Sequence, residues 1–553
     1  MNIKNLFKDI NKKEWLMIVI MIFFIIIITS IPHIYGFLNT PDDFSYLGRQ
    51  ALNSHDTPVY FSYLEQVKQG EWLFKNLFTS ESQTKIIFNP FWLGVGLIGK
   101  LFLLPVTLTF QIARILLIPI LIIISYLFIS FVLENKGKRK ICFILLLFSS
   151  GLGALFSNWL ILFYHSSYGY INWSMDLWVP ESNIFFTFYH TPHLIASLSL
   201  ILLIFLFILL AFENNKKFYS ILAGIFALFL FQFHPFHIPT IFGILSVYLL
   251  FLCIKYKKIK WNLIKHFIIL ILISLPSIIY HLLTLKYNWL TWQKAIQNVC
   301  LTPSFLMTLI SYGLLIILAL IGLISIFKNK KYKNDKFLFL IIWPITQLLL
   351  IYSPLNFQRR LTEGLHVGIV LLASFGLFFI YNFLKNKMKS VNFELFVNNK
   401  LLIFFVFILF FALSNIVILW KDVNFIYAQS DIFYISNNKK IAIKWLAQNT
   451  NDEAIIFSSP INGNIIPAFS ARTVYAGHGV ETAFYLEKIK EIEWFFKNNK
   501  NDAKKYQFCK KNKIDYLFYG NEEKKLGEFN PEEKDYLEKI YQNKEVNIYK
   551  IKL

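Results

Sequence analysis

The chain has 553 residues, 56% of them hydrophobic and 18% aromatic, and only 16% are charged, against ~25% in an ordinary soluble protein. Mean hydropathy is +0.51, and apolar runs of about 20 residues recur, which excludes disorder, collagen and a small disulfide scaffold and nearly excludes a soluble enzyme. The net charge of +22 lies largely in lysines of short connections between apolar runs, so the implied partner is anionic membrane lipid and not nucleic acid.

In chain order, the apolar runs cover 15–31, 107–133, 141–164, 187–212, 218–233, 238–254, 266–285, 305–327, 337–352, 364–384 and 401–420. No small-residue cleavage site follows the first run, so it is expected to be an uncleaved anchor. Most runs are long enough to cross ~30 Å of hydrocarbon; 218–233 and 337–352 are marginal. Every second connection is basic. Lys4, Lys8, Lys12 and Lys13 come first, then Lys136, Lys138, Arg139 and Lys140. Lys216 and Lys217 follow, then Lys255 to Lys260, Lys328 to Lys333, and Lys385, Lys387 and Lys389. The alternation holds if 88–104, with Lys100, three glycines and bracketing prolines, is an interfacial or re-entrant helix. The expectation is about eleven spans in a multi-pass plasma-membrane protein, with a cytoplasmic N-terminus and an extracytoplasmic C-terminus. Residues 1–420 form the membrane part, with a large first outer connection (32–106), and 421–553 form a soluble α/β domain. The fold class is mainly α, a polytopic helix bundle with that domain attached.

The expected outer connections are longer and richer in Asp, Glu, His and Arg than a mere link requires. The first holds Asp42-Asp43 and HDTPVYFSYLEQVKQGEWL from His55. Asp-Thr-Pro suits a capping carboxylate ahead of an early helical proline. Tyr60, Tyr63, Leu64 and Val67 then make one apolar stripe, as on an amphipathic helix at the membrane surface. Asp56 is therefore either an N-cap or a functional carboxylate.

Next, WVPESNIFFTFYHTPHL carries Glu181, His190 and His193. Two histidines three apart with a carboxylate can take a divalent metal, although Pro192 breaks an ideal helix there. HPFHIP adds His234 and His237 in a very short turn. Four histidines near neighbouring turns either converge on a site or sit singly among headgroups; ionisable groups at membrane depth are costly and usually functional. Finally, Arg359 and Arg360 in SPLNFQRRLTEGLH oppose the charge trend. A guanidinium fork suits a lipid phosphate; the alternatives are snorkelling or pairing with Glu363. Arg114, at the start of the second run, poses the same choice. The four cysteines show neither CxxC nor regular spacing, so neither a metal site nor a disulfide framework is expected from them.

In the tail, the pattern predicts a helix over 437–448, a strand over 454–459, a turn at SPINGN and strands over 472–475, 515–519 and 546–551. No GxGxxG or Walker loop is present, so no nucleotide is assigned.

Together these residues resemble the membrane glycosyltransferases of the GT-C superfamily, and most nearly the group with protein O-mannosyltransferases and bacterial aminoarabinose transferases. The order is an acidic residue in the first outer connection (Asp56 in HDTPVY), a helix to Trp72, the proline-led NPFWLGVGLIGK, and Arg114 opening the second span. A later outer arginine, Arg359 or Arg360, completes it. The likeness covers about three quarters of the chain, the part expected to lie in the membrane. Two departures stand out: Thr57 follows Asp56 where those families carry an Asp-Glu pair, and Asp42-Asp43 is an alternative counterpart. The tail has no counterpart in the pattern.

The resemblance implies an inverting transfer of a sugar from a polyprenyl-phosphate donor to a glycan, lipid or protein acceptor. Asp56 would be the base, Asp43 its reserve, and Arg359 or Arg360 would hold the phosphate. Glu181, His190, His193, His234 and His237 would shape the sugar pocket or hold an optional divalent metal. These groups are expected to share one non-cytosolic pocket. The competing readings are a transporter or lipid flippase, and a non-catalytic assembly protein that binds through its tail. Transporters place ionisable groups near mid-membrane and often repeat internally; this chain has few charges within its spans and no convincing repeat.

Overall fold

A computed structural model describes residues 3–156, 173–387, 403 and 406–552. Parts of the expected runs 141–164 and 401–420, the start of the connection 165–186, and Lys389 lie outside these residues. Among the described residues, seven helices are long and apolar enough to cross a membrane: Lys12–Leu38, Val106–Val132, Pro192–Asn214, His237–Tyr256, Trp261–Tyr287, Gln358–Lys387 and Ile408–Tyr427. The chain is a multi-pass membrane protein. The two marginal runs form shorter helices, Lys217–Phe233 of 17 residues and Asp335–Leu350 of 16.

The expected continuous span over 305–327 is broken. Helices Phe305–Tyr312 and Leu314–Lys328 meet at 83°. Gly313 between them has φ +48°, a conformation that costs an L side chain but not glycine. A Cβ there would come within 2.6 Å of Leu152. The expected run starting at 187 also divides. Helix Ile184–His190 stops at extended Thr191, and Pro192 opens the next helix, because proline fits a first helical turn but not an interior one.

The chain forms two compact units. The first joins Met1–Pro32, Arg114–Leu282 and Val299–Lys421. Within it, Leu314–Lys328 and Leu365–Lys387 approach backbone to backbone: a Cβ on Gly376 would lie 1.9 Å from the Leu318 carbonyl oxygen, and one on Gly322 would lie 2.0 Å from that of Leu372. Small residues permit such contact between apolar helices. Phe128, Phe205, Phe339 and Trp343 pack edge to face nearby.

The second unit joins His33–Ala113, Leu283–Asn298 and Asp422–Leu553. The tail thus shares a unit with the first long connection. Strands β1 (Phe44–Tyr46) and β2 (Tyr434–Ser436) pair antiparallel. A five-stranded sheet uses β3 (Ile455–Phe457), β4 (Thr473–Val474), β5 (Tyr516–Tyr519), β6 (Leu537–Gln542) and β7 (Asn547–Ile551), in the order β4-β3-β5-β7-β6. Its first three strands are parallel and the last two antiparallel. The period-two alternation is clean. Ile456, Val474, Phe518 and Ile548 join a core with Phe61, Leu64, Trp92 and Phe110. Phe457, Tyr475, Leu517 and Tyr549 face Ile492, Phe495 and Phe496.

The expected tail strands are present in shortened form, and helix Asn437–Asn449 matches its expectation. SPINGN is not a turn. Ser459 caps Asn462 N at 3.3 Å and Pro460 opens helix Pro460–Ser470, so serine followed by proline signalled a helix start. Helix Thr57–Lys68 forms where it was expected, but not as a one-sided surface helix: Val59, Phe61, Ser62 and Gln66 are buried as well as Tyr63, Leu64 and Val67, because the tail packs against it. The segment 88–104 yields helix Pro90–Leu101, capped by Asn89, followed by exposed Phe102 and Leu103. That short apolar helix fits an interfacial position.

Candidate active site

In the second unit, Asp56 stands at the start of helix Thr57–Lys68, yet its side chain makes no capping bond. Its own backbone is already in the helical region, φ −74° and ψ −31°, whereas a capping side chain needs an extended residue behind it. The carboxylate instead accepts a hydrogen bond from His478 Nε2 at 3.0 Å. Its side chain is 46% exposed and that of His478 only 8%. The N-cap alternative is therefore not what this residue does.

Residues 477–482 fix the imidazole. His478 Nδ1 accepts from the backbone N–H groups of Val480 and Glu481, both at 3.2 Å. That assignment leaves the proton on Nε2, aimed at Asp56. The Glu481 carboxylate pairs with Lys294 at 2.5 Å. Thr482 donates to the Phe78 carbonyl at 2.7 Å and accepts from Gly477 N at 3.0 Å. Gly477 and Gly463 touch through their backbones, since a Cβ on Gly463 would sit 2.0 Å from the Ala476 carbonyl oxygen. Asn464 reaches the His55 ring and carbonyl at 3.3 Å. Burial first, then the charge of Arg49, hold His55 below its ordinary 6.5, against the opposing pull of Asp56. His55 is therefore neutral near pH 7. Asp43 lies on an exposed turn with φ +63°, its carbonyl accepting from Asn437 N at 2.7 Å.

In the first unit, the other expected residues divide into three groups. His234, His237 and Glu363 come together, all buried. Glu363 Oε2 lies 2.6 Å from His237 Nε2 and 3.5 Å from His234 Nδ1. The two ring nitrogens are 3.1 Å apart. Ser197 Oγ lies 3.0 Å from Glu363 Oε2 and 3.1 Å from His234 Nδ1. His193 packs its ring edge-on to His234, centroids 5.7 Å apart. Glu181 and Arg360 lie within electrostatic reach, of Glu363 and His234 respectively. Three of the four singled-out histidines thus converge; His190 packs against Phe186 instead. Glu363, first considered only as a partner for the arginines, is the carboxylate of this cluster.

The second group is Arg359 and Arg360. Their guanidinium groups stack on Trp178 at 4.5 Å and Phe236 at 4.6 Å, which orients the planar fork without consuming its in-plane donors. The third is Arg114, fully buried. It donates to Thr29 Oγ1 at 3.0 Å, Ser30 Oγ at 3.1 Å and the Phe188 carbonyl at 3.2 Å. That guanidinium joins helices to one another.

Sequence reasoning missed two residues. Asp176 is wholly buried and ties separate stretches together. It accepts from Ser414 Oγ at 2.6 Å and Gly153 N at 3.1 Å, and from Ser174 Oγ. Burial raises its carboxyl to about 6, although these bonds pull the other way. Its partners lie at positions 153, 174 and 414, so no local pattern marks it. His478 was also passed over, a single histidine between two glycines in the tail.

No family model and no curated protein matches this sequence. Solved structures do match. The oligosaccharyltransferase of Archaeoglobus fulgidus, tethered to an acceptor peptide, superposes with a TM-score of 0.56 at 15% identity, covering 92% of this chain and 69% of that one. The apo form of ArnT from Cupriavidus metallidurans gives 0.51 at 9% identity, covering 95% and 97%. The chain has the GT-C membrane fold. Such low identity establishes the fold alone, and the GT-C fold accounts for an α/β segment following the membrane helices. In this chain the Asp56 carboxylate is about half exposed and Arg359 and Arg360 are half-buried.

Proposed function

We propose that the protein is an inverting membrane glycosyltransferase, moving a sugar from a polyprenyl-phosphate donor to an acceptor on the extracytoplasmic side. The observation that carries this reading is the Asp56 carboxylate, which makes no capping bond, is half exposed and accepts a hydrogen bond from His478. A carboxylate used only for structure would be expected at the cap.

The chemistry needs few groups. The acceptor hydroxyl oxygen attacks the anomeric carbon while the bond from that carbon to the donor phosphate oxygen breaks. Polyprenyl phosphate leaves as an anion, so no general acid is required. The acceptor proton passes to Asp56, with Asp43 the reserve. Arg359 or Arg360 offsets the negative charge on the leaving phosphate. Glu181, His190 and His193, with His234 and His237, shape the sugar pocket or hold an optional divalent metal, and Arg114 holds neighbouring helices in place. One displacement inverts the anomeric centre. The N-terminus is then cytoplasmic and the C-terminal α/β segment extracytoplasmic.

The test uses purified full-length protein in detergent with a labelled prenyl-phosphate sugar that it consumes. Asp56→Asn is expected to lower kcat by about 100-fold or more, as loss of a general base does. Retention of full turnover removes Asp56 as the base, and Asp43→Asn then decides whether the reserve takes its place.

A further inference from the structure

We infer that His234, His237 and Glu363 form a zinc site within the helical unit. The inference stands on their geometry and does not require the transferase reading.

Three atoms with lone pairs, His234 Nδ1, His237 Nε2 and Glu363 Oε2, face one another at 2.6, 3.1 and 3.5 Å. All three side chains are buried, and their ligand atoms meet the spacing of a common metal. Zinc bound tetrahedrally at ~2.0–2.1 Å sets its ligand atoms roughly 3.3 Å apart. The observed triangle is close to one face of such a tetrahedron and needs only a small opening of the Glu363–His237 edge. Two neutral imidazoles and one carboxylate are a known zinc donor set that leaves a fourth position open. Ser197 Oγ, at 3.0 and 3.1 Å from two of the three, stands where it can hydrogen-bond a water in that position. Nitrogen donors also favour zinc over magnesium or calcium, which prefer all-oxygen sets.

Glu363 is a fully buried carboxylate whose Oε2 faces two imidazole nitrogens and the Ser197 hydroxyl. A buried negative charge is costly unless it is compensated, and a divalent cation held by the three facing atoms would compensate it. The far-side atoms, His234 Nε2, His237 Nδ1 and Glu363 Oε1, are buried without a hydrogen-bond partner; they lie outside the ligand set, and the imidazole protons belong on those two nitrogens when the facing lone pairs bind a metal.

The site is also anchored for this role. Gln347 Nε2 donates to the Leu361 and Glu363 carbonyls, both at 2.7 Å, and Trp343 Nε1 holds Gln347 Oε1 at 2.8 Å. His234 and His237 lie on the tight connection between helices Lys217–Phe233 and His237–Tyr256. A bound ion would therefore cross-link that connection to the chain entering helix Leu365–Lys387.

Full-length protein purified in detergent from zinc-supplemented cells, then dialysed against metal-free buffer, tests this by elemental analysis. About one zinc per chain is expected, falling at least tenfold in His237→Gln and in Glu363→Gln. Because either variant can misfold, wild-type protein is stripped with a chelator and reloaded with Co2+, and the tetrahedral visible absorption band is recorded. The band should appear in wild type and disappear on adding Zn2+. Wild type that holds neither zinc nor cobalt overturns the site. Variants that elute as folded monodisperse protein and retain one zinc place the metal elsewhere and also overturn it.

Discussion

At the residue scale, the pair Asp56–His478 has the most to explain. A carboxylate that is about half exposed can rotate; a buried imidazole whose Nδ1 is occupied by two backbone amides cannot. The 3.0 Å bond between them therefore fixes one rotamer of Asp56. His478→Ala should lower kcat by about 10- to 100-fold, through loss of positioning, with a smaller change in KM for the donor. His478→Gln, which can offer an amide N–H at a similar reach, should restore part of the loss. Equal kcat in wild type and His478→Ala would show that the bond orients nothing of consequence. Asp56 itself was legible in the sequence because a carboxylate before Thr-Pro is conspicuous. Its partner was not, since 422 positions separate them and no local pattern joins a histidine flanked by glycines to a distant aspartate. Glu363 was read as a partner for arginine because Arg359 and Arg360 stand close in sequence. The turn His234–His237, far away in the chain, outcompeted them for its carboxylate.

At the scale of elements, apolar run length located the helices, and deviations arose where backbone chemistry overrode hydropathy. The run 305–327 is apolar throughout, yet Gly313 bends it by 83°. Hydropathy cannot register a positive φ. SPINGN has turn composition, but the serine–proline order begins a helix. Two glycines in helices make opposite predictions. Gly376→Ala must force a methyl against the Leu318 carbonyl, 1.9 Å away, whereas a Cβ on Gly94 meets nothing within 4 Å. Gly376→Ala should destabilise the protein by about 1–3 kcal/mol, as overpacking does. Gly94→Ala, inside helix Pro90–Leu101, should stabilise it by up to about 1 kcal/mol through helix propensity. Thermal unfolding of the detergent-solubilised variants compares them directly; equal melting temperatures would contradict the close helix contact.

At the scale of the whole molecule, composition and the alternating basic connections identified a polytopic membrane protein with an α/β segment at its end. They did not reveal that this segment shares a core with the first long connection. Phe61, Leu64 and Trp92 pack with Ile456, Val474 and Phe518, a long-range pairing that periodicity cannot encode because each stretch reads as amphipathic on its own. The sheet order β4-β3-β5-β7-β6 was hidden for the same reason, although most of its strands were visible. The GT-C likeness was read from the order of weak motifs and is carried in the structure by the fold. What the whole chain does with that fold is decided most directly by one measurement: incubating purified full-length protein with a panel of labelled polyprenyl-phosphate sugars and candidate acceptors. Release of polyprenyl phosphate from one donor, together with a product of inverted anomeric configuration, is the predicted result. Turnover of a donor with retained configuration, or translocation of intact lipid-linked sugar across a proteoliposome without cleavage, would contradict it.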